Sequence, residues 1–294
     1  MAKVRANGID IEYETTGNRK DPALLLVMGL GAQLTLWPDA LCEGLAQRGF
    51  YVIRHDNRDV GLSTDFGAAG VPNLMEAFGK LMTGRAVEAP YYLKDMAADA
   101  AGLLAALDID RAHMVGASMG GMIVQLLAAH YPGLTRSMVS VMSTSGRRGL
   151  PMGKPEAVAM LSSQPEGRAR EQLVAHAMKL RNVIGSPGFR SPDDEVRRLV
   201  ERNIDRRYYP EGAARQYLAI LASGDRVEAL KSVKVPTLVL HGEDDPLIPV
   251  ECARDVAELV PGAQIQTYPG WGHDVPAQMV PPLVERIATF CKAV

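Results

Sequence analysis

The chain reads as an α/β protein, with a mostly parallel central sheet flanked by helices and a helical cap inserted before the last strands. Three observations predict this. Short apolar runs alternate with amphipathic stretches along most of the sequence, and that order of strand and helix puts helices on the faces of a parallel sheet. Two runs, residues 23–28 (ALLLVM) and 235–240 (VPTLVL), are continuously apolar, as expected of strands covered on both faces. One long window, residues 147–231, breaks the alternation with helical patterns and no convincing strand.

The first strand candidate, residues 9–15 (IDIEYET), alternates apolar and polar side chains and suits an antiparallel edge beside the parallel centre. Residues 23–28 follow as a buried strand, then residues 51–55, each leading into turn residues. Leu93, Met96, Ala97, Ala100, Leu103, Leu104 and Leu107 form a stripe at 3.6-residue spacing, the mark of a helix with one buried face. Residues 112–116 are the next strand, followed by a helical run, MIVQLLAAHYP, that stops at Pro132. Residues 135–142, 235–240 and 263–268 complete the strand candidates. The window between the second and third of the last four is punctuated by GLPMGKP, SQPEG and GSPGFRSPDDE and holds 16 Lys and Arg against 11 Asp and Glu. It is therefore net +5 while the remainder is −7, and its arginines are expected to form a solvated helix surface laced with salt bridges. The expected organisation is a core of residues 1–146 and 232–294 with a cap of residues 147–231.

Composition removes several function classes. At 294 residues, 47% apolar and 22% charged, the chain is long enough to bury a large core, so disorder is excluded as the main state. A net charge of −2 offers no basic excess for a phosphate backbone, so no nucleic-acid partner is expected. No apolar stretch approaches the ~20 residues of a membrane helix, and the opening MAKVRANG lacks a signal-peptide core; a soluble, cytoplasmic protein without membrane insertion is expected. Cys42, Cys252 and Cys291 are few and far apart, which suggests reduced thiols rather than a disulfide framework or a metal site.

The chemistry concentrates at three strand ends. The strand at residues 112–115 runs into Gly116-Ala117-Ser118-Met119-Gly120-Gly121 and then a helix, a G-x-S-x-G turn in which flanking glycines remove side chains that would collide with neighbouring backbone. With 28 glycines in the chain, such a pattern arises by chance with a frequency on the order of 0.1, so its partners decide the reading. A serine hydroxyl needs an imidazole to take its proton, and the imidazole needs a carboxylate to fix its tautomer. The strand at 235–240 ends in HGEDDPLIP and the strand at 263–268 in PGWGHD. Ser118, Asp245 and His273 thus follow the chain order Ser, acid, His, each just after a strand, where ligand sites gather in open parallel sheets. Among the other histidines, His113 lies within a strand, His130 sits at a helix end where a cation suits the dipole, and His241 is placed to order the acid loop.

Over its full length the chain resembles the α/β-hydrolase superfamily, through GASMGG, HGEDDPLIP, GWGH and the HDNRDVGLST of residues 55–64. The last motif, together with MGLGAQLTLWP and the helical cap, is most similar to the bacterial esterase branch that includes aclacinomycin methylesterase. The resemblance implies the α/β-hydrolase fold and a serine hydrolase acting on small-molecule carboxylic esters, with no cofactor and no metal. The family spacing G-x-x-D-x-x-x-P, from Gly242 to Pro249, selects Asp245 over its neighbour Asp244. The family pattern also assigns the oxyanion hole to the backbone N–H groups of Leu30 and Met119, the latter at the positive end of a helix. Asp56 and Arg58 resemble a loop that braces the sheet edge. The chain departs from the wider pattern at Met28, where many relatives carry histidine. The alternatives are the same triad acting on a lactone, on a carbon–carbon bond or in peracid formation, and a ligand-binding protein of this fold with little turnover. In the cap, Met152, Met160, Leu161, Met178 and Leu180 are candidate walls of a substrate pocket.

Overall fold

The computed structural model describes residues 2–294. Its strands are β1 (Ala2–Ala6), β2 (Ile9–Thr16), β3 (Ala23–Val27), β4 (Tyr51–His55), β5 (Ala112–Ala117), β6 (Thr135–Val141), β7 (Thr237–Gly242) and β8 (Gln264–Tyr268). They form one sheet in the order β1-β2-β4-β3-β5-β6-β7-β8. β2 runs antiparallel to β1 and β4, and every other pairing is parallel. The alternating segment at residues 9–15 therefore lies one strand in from the edge. The edge itself is β1, a five-residue, mostly exposed AKVRA whose alternation of small apolar and charged residues is too short to stand out as a strand. Its signal was the Asn7-Gly8 pair, which closes the β1–β2 hairpin with φ values of 46° and 77°, the combination a two-residue turn of matching twist requires.

The continuous apolar runs are explained by the layers on either side. Leu24 and Leu26 of β3 pack with Val52, Val115, Leu238 and Leu240 against α1 (Asp39–Gln47) and α11 (Val280–Lys292). Leu25 and Val27 point the other way, with Ile53, Met114 and Val239, against α3 (Leu93–Ala106), α4 (Met119–His130) and α10 (Val250–Leu259). A side-chain period of two on a strand buried on both faces gives an unbroken apolar run. Strand order reverses at β3 and β5: the chain leaves β3 for β4 on one side, and later returns to place β5 on the other. Loops leaving the two strands diverge there, and the crevice between them is where open sheets bind ligands.

Between β4 and α3 lies α2 (Leu74–Met82), and between β6 and β7 lie α5 (Pro155–Ser162), α6 (Arg170–Ile184), α7 (Asp193–Arg206), α8 (Pro210–Ser223) and α9 (Val227–Lys231), with no strand. α9 is seated on the main core, where Leu230 is buried with residues of α4 and α10. The expectation of a solvated arginine surface holds for Arg170, Arg197 and Arg198 of α6 and α7, which pair with the exposed carboxylates of Asp205, Glu171 and Asp194. It fails for Arg215, Arg206 and Arg226. Arg215, 1% exposed, makes a two-point bond of 2.8 Å and 2.8 Å to the buried Asp59 carboxylate, which also accepts from Tyr91 Oη at 2.7 Å. Arg206 pairs with buried Asp56 at 2.7 Å. Arg226 donates to Gln125 and to the Thr144 carbonyl, and burial pushes its guanidinium down to about 10. These cations are the joints between insert and core, because a guanidinium taken out of water needs a partner on the other side.

Two predictions follow from buried charge. Arg215→Met leaves the Asp59 carboxylate uncompensated and is expected to cost about 3–5 kcal/mol of stability in urea unfolding. His55 and His113 are buried in β4 and β5, and burial pushes each imidazole down to about 4 from an ordinary 6.5. Above pH 6.5 both are neutral whether folded or unfolded, so stability there is unaffected by them. As pH falls from 6.5 towards 4 only the unfolded chain takes up their protons, and each is expected to remove up to about 1.4 kcal/mol per pH unit. Denaturant midpoints measured from pH 7 to 4.5 should fall, and the fall should be shallower in His113→Gln.

Candidate active site

β5 ends at Ala117 and α4 begins at Met119, so Ser118 alone turns strand into helix. Its backbone sits at φ 56°, ψ −119°, a region non-glycine residues avoid at about 1–3 kcal/mol. Three hydrogen bonds hold it there: Ser118 N to the Val141 carbonyl at 2.9 Å, and Ser143 Oγ and Met122 N to the Ser118 carbonyl at 2.8 Å and 3.2 Å. The neighbouring glycines admit the geometry, since a Cβ on Gly116 would strike the Gly120 backbone and one on Gly120 would strike the Val27 carbonyl. The motif therefore fixes the serine between β5, α4 and the end of β3.

The structure brings Ser118, His273 and Asp245 together. His273 Nε2 lies 3.0 Å from Ser118 Oγ, and His273 Nδ1 lies 2.7 Å from Asp245 Oδ2. A carboxylate only accepts, so the imidazole proton belongs on Nδ1 and the Nε2 lone pair faces the hydroxyl. Asp245 is aimed by the loop after β7, whose Leu247 and Ile248 N–H groups donate to its Oδ1 at 2.8 Å and 2.9 Å. Asp244 points away and accepts from Gly270 N at 2.7 Å, which ties the acid loop to the histidine loop. His241 orders the same turn: its Nε2 donates to the Ile248 carbonyl at 2.7 Å and lies 3.5 Å from Asp245 Oδ2, and burial lowers its tendency to take a proton. His113 bonds Ser137 inside the sheet at 2.8 Å. An imidazole aligned between hydroxyl and carboxylate can draw the hydroxyl proton as the oxygen attacks carbon.

Met119 and the loop that carries Leu30 lie next to Ser118. Met119 N is at the first residue of α4, and the loop carrying Leu30 runs beside the serine, since a Cβ on Gly29 would stand 3.1 Å from Ser118 Cβ. This loop is held from three directions. Asn57 Nδ2 donates to the Met28 carbonyl at 2.9 Å, Asp56 Oδ1 accepts from Leu34 N at 2.7 Å, and Gln216 Oε1 of α8 accepts from Gly31 N at 2.7 Å. Asp56 and Arg58 do not pair with each other. Arg58 is bonded to Asp99 of α3 through 2.6 Å and 2.7 Å contacts, so the HDNRD stretch braces the β3 loop, the insert and α3. Met152, a candidate pocket wall, is 80% exposed and faces solvent, while Met160 is buried in α5.

The His273 loop is gripped by the insert. His273 N donates to the Ile184 carbonyl at 2.8 Å, Gly272 N to Ser186 Oγ at 2.9 Å, and Gly188 N to the Gly270 carbonyl at 2.9 Å. Ser186 donates in turn to Asp274 through its hydroxyl and, at 3.1 Å, its backbone N–H. Burial raises the Asp274 carboxyl, with Ser186, Arg181 and His273 opposing the shift. A cavity of about 400 Å³ borders Ser186, Asp274, Arg181, Val196, Leu199 and Pro276, beside the histidine loop rather than over Ser118. Sequence reasoning missed Gln216 and Ser186, whose partners lie 185 and 86 residues away. Neither sits in a motif, and only the folded chain supplies the signal. Among the described residues no group of three His, Cys, Asp or Glu side chains is arranged to hold a metal ion, and no helix is long and apolar enough to cross a membrane.

Comparison with known proteins agrees with this architecture. Residues 22–278 match the family model described as alpha/beta hydrolase fold. The chain is 28% identical to a bifunctional esterase/perhydrolase from Acinetobacter calcoaceticus, over 98% of each chain. It is 28% identical to a rhodomycin D methylesterase from Streptomyces sp. strain C5, over 95% of this chain and 94% of the relative. The crystal structure of an enol-lactonase from Burkholderia xenovorans LB400 superposes with a TM-score of 0.73 at 22% identity, over 99% of this chain and all of that one, a likeness of fold. With a parallel sheet of this order, a strand-to-helix serine turn and a family match across most of its length, the chain belongs to the alpha/beta hydrolase fold family.

Proposed function

We propose that the protein is a carboxylic ester hydrolase that works through an acyl-enzyme on Ser118. The observation that carries this reading is the unbroken line from Ser118 Oγ through His273 to Asp245, with contacts of 3.0 Å and 2.7 Å. The esterase and methylesterase names of full-length relatives support it. Ser118 Oγ attacks the ester carbonyl while His273 Nε2 takes its proton; the carbonyl oxygen becomes an oxyanion beside the Leu30 and Met119 N–H groups. Collapse breaks the bond to the alcohol oxygen, which leaves with the proton from His273. Water then repeats the sequence on the acyl-serine and releases the acid. Asp245 stabilises the imidazolium formed in each half. Residues 147–231 act as a cap over the core of residues 1–146 and 232–294, with α9 as its seat, and the partner is a small-molecule ester. The unpaired, buried Cys42, Cys252 and Cys291 suit a reducing cytoplasm. The perhydrolase name of one relative favours a second reading, in which hydrogen peroxide replaces water at the acyl-serine and the product is a peracid.

Ser118→Ala is expected to lower turnover of a simple aryl ester by ~10⁶-fold and to abolish labelling by a serine-directed phosphonate; a tenth of wild-type turnover retained in pure protein would refute the assignment. Asp245→Asn should cost on the order of 10⁴-fold through the wrong imidazole tautomer. Asp244→Asn, which keeps an acceptor for Gly270, should cost little. Turnover should climb with pH as His273 loses its proton, because only the neutral ring accepts one from serine. A flat profile from pH 5 to 8 with chemistry limiting would remove His273 from the mechanism.

A further inference from the structure

We propose that the helical insert is part of the catalytic frame, with Ser186 and Gln216 as positioning residues for the histidine loop and the oxyanion loop. This rests on the ester-hydrolase reading above. Each proposed reacting group stands on a core loop, which would let a mobile cover set the pocket shape and leave the chemistry alone. The hydrogen bonds say otherwise. Ser186, buried between α6 and α7, brackets His273: its hydroxyl accepts from Gly272 N at 2.9 Å and donates to Asp274. The Ile184 carbonyl takes the N–H of His273 itself. The 400 Å³ cavity borders Asp274 and Ser186, so the carboxylate is held there by hydrogen bonds from Ser186 rather than by close packing alone.

Gln216 plays the matching part at the other loop. It is fully buried, and its amide is satisfied at both ends, accepting from Gly31 N at 2.7 Å and donating to the Arg58 carbonyl at 2.7 Å. Gly31, at φ 64°, follows Leu30 directly, so the bond fixes the peptide next to the proposed oxyanion donor. Both side chains belong to the insert and both act on core backbone. Neither touches the reacting atoms, so neither is a catalytic residue. A donor or base displaced by a fraction of an ångström loses the alignment on which the rate depends, and displacements up to 1 Å cost up to ~10²-fold.

The test compares wild type with Ser186→Ala, Asp274→Asn and Gln216→Met, with active sites counted by phosphonate titration and an aryl ester as substrate. Positioning predicts that kcat per titrated site falls about 10- to 100-fold in Ser186→Ala and Gln216→Met while KM changes little. Asp274→Asn keeps an acceptor for Ser186 but removes the carboxylate next in sequence to His273, in a region that also holds Asp245, His241 and Arg181. Losing an anion disfavours imidazolium, so the acid limb of kcat/KM should move to lower pH. A merely structural role lowers the melting temperature yet leaves kcat per titrated site and the acid limb in place, and that result overturns the inference while the hydrolase reading stands. Should Ser186→Ala not fold, Asp274→Asn decides the histidine arm; should Gln216→Met not fold, Gln216→Asn, one methylene short of Gly31, decides the other. If wild type neither turns over the ester nor takes the phosphonate, the hydrolase reading falls and this inference with it.

Discussion

A serine backbone at φ 56° and ψ −119° persists only because its surroundings leave it no alternative. The residue must close the gap between β5 and α4 in a single step, and the hydrogen bonds from Ser143 and to the Val141 carbonyl hold it there. The approach of α4 to β3 at Gly120 and of α4 to β5 at Gly116 is so close that any side chain at either position meets backbone. Much of the site depends on this wedge. It puts the serine at the first turn of α4 and brings the β3 loop alongside. The strain is local, and the apolar layers that hold β3 and β5 on both faces supply the stability that tolerates it.

The second constraint is buried charge. The insert carries a net positive charge and the rest of the chain a net negative one, and the opposite signs meet out of water at Arg215 with Asp59 and Arg206 with Asp56. Such pairs add little to stability compared with apolar packing of the same volume, but a broken pair is costly. They therefore specify how the insert sits. Asp56 shows the economy of this, since one carboxylate accepts from Leu34 N, accepts from Leu62 N and pairs with Arg206. It fixes the loop after β3, its own turn and the insert at once.

What the sequence made legible was the part written in local pattern. Continuous apolar runs gave β3 and β7, the 3.6-residue stripe gave α3, and the order of GASMGG, HGEDDP and GWGH brought Ser118, Asp245 and His273 to one place. The β1–β2 hairpin was not read: its signal lay in the Asn7-Gly8 turn, and β1 escaped because its alternation is only five residues long and mostly exposed. The fate of the arginines was not legible: Arg215 and Arg170 are alike in sequence, and only the fold puts one against Asp59 at 1% exposure and the other in water. The same holds for Gln216 and Ser186, whose work is defined by distant backbone partners rather than by neighbours in the chain.

The helical residues 147–231 do not stand apart from the proposed site. The turn at residues 184–188 is bonded to Gly270, Gly272, His273 and Asp274, and α7 and α8 hold the β3 loop through Gln33 and Gly31. A rigid-body displacement of the insert would break a bond at His273 and a bond in the β3 loop together. On the ester-hydrolase reading proposed above, a substrate that held the insert in place would also hold the reacting groups in register, so binding energy from remote parts of an ester would appear in turnover and not only in affinity. On that footing, adaptation to a new ester would act on apolar side chains of the insert, while the polar contacts of Ser186, Gln216 and the buried arginines stay fixed.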